Sequence, residues 1–172
     1  MENKSNGKLL CTNKKASFNY YLENFMEAGI ELVGSEIKSL RKNRCSLDDA
    51  YVIFKGNEAY IINMNIPIFQ DKNVFSHDPR RTRKLLLHKN EIYSLMDDVK
   101  KKGYSVIPTR VLLRRGYCKV QIALGKGKKN YDKRQVIKER EDKIKMAKAA
   151  KLRWKKIRLK YISWRQLHFW WL

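Results

Sequence analysis

From Lys126 to Leu172 the chain carries 17 Lys and Arg against 4 Asp and Glu, and after Gly127 it contains neither glycine nor proline. That stretch holds +13 of the net charge of +22, leaving +9 for the 125 residues before it. Like charges at such density oppose burial, so this end cannot contribute much to a hydrophobic core. The chain divides into a body and a tail. Residues 1 to 10 are polar and expected to be disordered, residues 11 to 130 form the body, and residues 131 to 172 form a basic tail, disordered or helical. Isolated helices are marginal in water, so the tail is expected to gain order on a partner.

The body reads as strands. Ser17–Phe25 and Ala28–Gly34 suggest a first hairpin, with Glu27 near its tip. Tyr51–Lys55 and Glu58–Asn65 flank Gly56-Asn57, where glycine supplies the positive φ of a tight turn. Ser105–Leu113 and Tyr117–Leu124 flank Arg114-Arg115-Gly116, and Pro108 demands an edge or a bulge in its strand. Two helices are expected. Ser35 offers an N-cap for Glu36–Arg41, and Asn90–Lys102 places Ile92, Leu95, Met96 and Val99 at helical spacing before Gly103. Gln70–His77 reads as a surface loop. Three hairpins make six short antiparallel strands, which tend to close on themselves to hide their edges. The expected fold is mainly β with short helices, a six-stranded OB-like barrel followed by the tail.

Chemistry is scarce. His77 and His88 sit in or beside a polar loop, no Ser or Cys has an identifiable base, and the acidic residues are scattered, so no catalytic constellation is formed. Gly125-Lys126-Gly127-Lys128-Lys129 lacks the Lys-Ser/Thr pair that ends a phosphate-binding loop. Cys11, Cys45 and Cys118 are too widely spaced for a paired metal site and odd in number for a disulfide framework, which fits a reducing, cytoplasmic compartment. No metal or cofactor is expected. Nor is a membrane partner, since no apolar run approaches the ~18 residues of a spanning helix.

A polycation of this strength points instead to nucleic acid. Arg80, Arg81, Arg83 and Lys84 place four cations in five residues. A solvated basic turn would explain them; RNA would use them better, through forked contacts to phosphate and stacking on unpaired bases. Lys126, Lys128 and Lys129, with Lys133 and Arg134, could continue the same footprint. At the far end Trp154, Ile157, Tyr161, Trp164 and Trp171 recur at helical spacing among cations. Such a helix could lie on anionic lipid, dock in a protein groove or enter an RNA-lined channel.

Four blocks of the sequence resemble the SsrA-binding protein family, also called small protein B: Asn13-Lys14-Lys15-Ala16, Glu27–Arg41 (EAGIELVGSEIKSLR), Pro79–His88 (PRRTRKLLLH) and Gly125–Arg134 (GKGKKNYDKR). They occur in the family's order and spacing across about residues 11 to 141. The resemblance implies an OB-type barrel that binds the tRNA-like domain of transfer-messenger RNA and escorts it to stalled ribosomes, without catalysing a reaction itself. It further implies that Asn13 and Glu27 help to hold the tRNA-like domain, with Lys14 and Lys15 in the same block. Asp132, Lys133 and Arg134 match the tripeptide that opens a tail meeting the small ribosomal subunit near its decoding region. The apolar pair of family tails falls here on Ala149-Ala150, which leaves Leu152 and Trp154 as the nearest candidates for that contact. A monomer is expected, and the alternative is a structured-RNA or ribosome-binding protein without specificity for transfer-messenger RNA.

Overall fold

The computed structural model describes residues 7–42, 45–68 and 77–167, with side chains through Trp154. It forms two compact units, Met1–Lys128 and Lys129–Leu172.

The first unit is built on seven antiparallel strands: β1 (Lys8–Thr12), β2 (Tyr20–Ile30), β3 (Tyr51–Lys55), β4 (Glu58–Ile62), β5 (Arg83–Leu86), β6 (Ser105–Arg114) and β7 (Tyr117–Gly127). Six of them close a ring in the order β6-β3-β4-β5-β2-β7, and β7 returns to β6. The seventh, β1, lies outside the ring against β6, with Cys11 opposite Val111. Closure is thin at two seams, since β3 meets β6 only at Val52 and Val106, and β2 meets β5 only through Gly29 and Ile30. Ala28, Ile61, Met64, Val111, Val120 and Ile122 are fully buried in the core that this ring encloses.

Two expected hairpins form. Gly56 and Asn57 both take positive φ, +57° and +62°, the geometry of a two-residue turn whose twist matches its strands. Arg115 and Gly116 do the same between β6 and β7. The strain that Pro108 imposes is absorbed by a bulge, where the register slips between Pro108 and Arg110.

The first hairpin does not form. Residues 14–19 are a short helix, α1 (Lys14–Asn19), and Tyr20–Ile30 is one continuous strand. Glu27 is therefore not at a turn tip but within β2, opposite Gln121 of β7. The polar text around Asn24 marks a bulge, with Asn24 at φ +49° and a register slip between Glu23 and Met26. Lys8–Leu10, expected to be disordered, belong to β1, and β5 arises inside the basic cluster. Both short strands pair with partners distant in sequence, so no local turn announces them.

Helix α2 (Gly34–Arg41) starts two residues earlier than expected, and Ser35 is not its cap. The Val33 N–H donates to Glu36 Oε2 at 2.9 Å, while the Ser35 hydroxyl lies 2.9 Å from His77 Nδ1. Helix α3 (Lys89–Lys102) buries Ile92 and Leu95 and ends at Gly103, left-handed at φ +63°. The proposed loop Gln70–His77 lies outside the described residues except for His77. Cys11, Cys45 and Cys118 are free thiols.

The second unit is one helix, α4 (Asn130–Leu167). Of the two states open to the tail, the structure has the helix. Asp132 sits in its first turn, where its carboxylate accepts from the Lys129 N–H at 3.1 Å and complements the helix dipole. No helix among the described residues is long and apolar enough to cross a membrane.

Candidate nucleic-acid interface

The basic cluster at 80–84 splits into two kinds of cation. Arg83 is wholly buried: its Nε and Nη2 both stand 2.8 Å from Glu36 Oε1, and its remaining donors reach the carbonyls of Met64, Arg81 and Pro79 at 2.7–3.0 Å. Arg81 grips the same carboxylate, Nε to Oε1 at 2.9 Å and Nη2 to Oε2 at 2.7 Å. Arg83 cannot touch RNA in this fold, which corrects its place among the phosphate-binding residues. Arg81 is largely committed in the same way. The two arginines tie β5 to the start of α2.

Burial works to raise the Glu36 carboxyl, but hydrogen bonds from Arg81 and the Val33 N–H, with the charge of Arg83, outweigh it and hold the group below the usual carboxylate range. Arg83 is pulled down by burial against the opposing pull of Glu36. Arg81, nearer the surface, is raised by its hydrogen bond to Glu36.

Arg80 is exposed, with its N–H fixed to Asp78 Oδ1 at 2.9 Å. Lys84 pairs with Glu58, whose other oxygen accepts from the Tyr60 hydroxyl at 2.5 Å. Both ends of that pair are partly exposed, so phosphate can compete for the lysine.

Asn13 is also buried, and both ends of its side-chain amide and its own N–H are used. Its side-chain oxygen caps α1 by accepting from the Ala16 N–H at 2.9 Å, and its amide donates to Leu47 and Pro108 carbonyls at 2.8 and 3.2 Å. Its own N–H donates to Thr109 O at 2.8 Å. The Asn13 side chain is therefore committed within the fold. Its cap positions Lys14 and Lys15, both exposed on the first turn of α1, with Lys15 loosely held by Asp48 and Asp49 at 3.5 and 3.9 Å.

Lys126 lies exposed near the end of β7, opposite Tyr21. Lys128 donates to the Ser17 carbonyl at 2.8 Å and stands 4.8 Å from the centre of the Tyr21 ring. Glu27 faces Arg114 across 3.6 Å, both partly exposed. Sequence reasoning missed Arg114 and Glu36: the partner of each is far along the chain, and only the fold brings them together. Lys129, just before α4, is exposed; on α4 Arg134 is exposed and Asp132 and Lys133 half-buried, while Leu152 and Trp154 are exposed, the latter by 71%.

Comparison with known proteins settles the lineage of this arrangement. The family model for SmpB protein matches residues 10–152. The chain belongs to the SmpB family. Within it, an SsrA-binding protein of Malacoplasma penetrans is 51% identical over 135 residues, 78% of this chain and 92% of that protein. One from Lysinibacillus sphaericus is 45% identical over 148 residues, 86% and 96% of the two chains. A solved SmpB chain, from a structure described as "tmRNA-SmpB: a journey to the center of the bacterial ribosome", superposes with a TM-score of 0.60 at 37% identity, covering 70% of this chain and 85% of that one. The SmpB match ends within α4, two residues before Trp154. The four resembling blocks fall on α1, on β2 with α2, on β5, and on the junction of β7 with α4.

Proposed function

We infer that this chain binds the tRNA-like domain of transfer-messenger RNA and delivers it to stalled ribosomes, so that the incomplete peptide is tagged and the ribosome released. The observation that carries this reading is the match, at 37% identity and through the body of the chain, to the SmpB of the ribosome-bound complex with transfer-messenger RNA. The SsrA-binding relatives support the same partner.

The physical logic follows the two units. The ring presents Lys14, Lys15, Lys126 and Lys128 as exposed or half-exposed cations for phosphate. Asn13 and the Glu36–Arg81–Arg83 cluster set the shape from within. The tail supplies a helix of 38 residues, about 57 Å at 1.5 Å per residue, with cations along its length. We assign it to the message channel left empty by a broken message, where ribosomal RNA phosphate would neutralise it, with Asp132, Lys133 and Arg134 at its start. No chemistry is required of the protein, and its work lies in the cytoplasm, where ribosomes are.

Equilibrium binding to the tRNA-like domain and to an unrelated hairpin of equal length, over a range of salt, tests the reading. A preference of tenfold or more, about 1.4 kcal/mol, that persists as salt rises is expected. Equal affinities that fade together would leave only a generic polycation.

A further inference from the structure

A groove of about 690 Å3 opens on the first unit between α1, β3, the C-terminal half of α3 and the start of β6. That volume is ample for a planar heterocycle. Tyr20, Tyr51 and Tyr104 line it, with Ile53, Met96 and Val99. Tyr51 is 44% exposed, a large ring left open on a strand that could have buried it. Cations stand around these rings: Lys15 and Lys100 line the groove and are exposed, and Lys102 Nζ lies 5.9 Å from the centre of the Tyr104 ring.

The back wall depends on a close approach. A Cβ at Gly125 would fall 2.7 Å from Ile107 Cδ1 and 3.2 Å from Tyr20 Cβ, both part of the lining, so the bare glycine leaves the room that Ile107 and Tyr20 take there. Asn13 lines the groove too, and through its cap on α1 it places Lys15 at the rim. Lys15 is engaged there by the exposed Asp48 and Asp49, a weak pairing that exchanges readily.

We propose that this groove receives an unpaired base of the bound tRNA-like RNA, stacked on Tyr51 and Tyr104, with the flanking phosphates on Lys15 and Lys100. The proposal rests on the RNA reading above and adds a base-binding site to it. Aromatic faces beside ammonium groups suit a nucleobase, which brings a π-face and two anionic neighbours together; an apolar peptide has no use for the cations. When Lys15 turns to phosphate, Asp48 and Asp49 become free acceptors for the amino group of a base. A buried Asn13 then matters to RNA because it builds one side of the groove.

Full-length Tyr51→Leu and Tyr104→Leu keep apolar bulk and remove the ring. Each is expected to bind the tRNA-like domain tenfold or more weakly while the salt dependence, set by phosphate contacts, stays as in the wild type. Tyr117→Leu, at the exposed β6–β7 turn, is expected to bind normally. A 2-aminopurine placed in turn at each unpaired position should be quenched at one position by the wild type and not by the groove variants. Folded variants with wild-type affinity and quenching would overturn the proposal and mark the groove for a protein partner. Absence of quenching at every unpaired position in the wild-type complex would overturn it however the variants fold. If the wild type itself does not prefer the tRNA-like domain, the parent reading fails and takes this one with it, a different result from loss of the groove effect alone.

Discussion

Glu36 and Arg83 are both withdrawn from solvent, the chain between α2 and β5 folding so as to bring them together and Arg81 closing over them. Each alone would be a buried charge costing several kcal/mol. Glu36→Gln keeps the shape and removes the counter-charge, so Arg83 is left unpaired. Urea denaturation at pH 7 is expected to show a loss of about 3–5 kcal/mol. The carboxyl is lowered in the folded state, so its stabilisation is complete above the unfolded value of about 4.3 and is lost as pH falls through the folded one. Wild-type stability should therefore fall more steeply below about pH 4.3 than that of Glu36→Gln. Parallel pH profiles would show that the cluster is not held by charge.

At the scale of elements, what could be read depended on how far each strand's partner lies along the chain. The hairpins β3–β4 and β6–β7 were legible because their turns carry Gly56-Asn57 and Arg115-Gly116, and α3 because its apolar spacing ends at Gly103. The strands β1 and β5 were not, since β1 pairs with β6 and β5 with β2 and β4, far from any turn signal. The bulge at Asn24 disguised one long strand as two short ones. In the site, charge identified Lys126 and Arg80 as surface cations correctly but placed Arg83 with them, while Lys14 came only with the family block. The counter-ion of Arg83 is invisible locally, and only the folded ring shows that it is a core residue.

Helix α4 carries like charges one turn apart at Arg134 and Lys138 and at Lys151 and Lys155, each pair slightly destabilising. The ion pair Asp142–Lys145, at 3.9 Å and well exposed, compensates little. Ellipticity at 222 nm of the full chain is accordingly expected to deepen as salt rises from about 20 to 300 mM, where the Debye length shrinks from roughly 20 to 6 Å. A signal that weakens with salt would mean that the helix is held by attraction and not opposed by repulsion.

For the whole molecule, a net charge of +22 guarantees affinity for any RNA, so charge cannot by itself explain selective work. Selectivity has to come from the ring: the shape that Asn13 and the Glu36 cluster enforce, and the cations held on it at fixed places. The helical unit adds reach and charge. The most direct measurement is tag addition in a reconstituted translation system stalled at the end of a truncated message and supplied with transfer-messenger RNA. The account predicts tagging when this protein is added and none in its absence, with loss of tagging but retained RNA binding when residues 131–172 are removed. Untagged, stalled peptide in the presence of the full chain, under conditions where the RNA is bound, would contradict it.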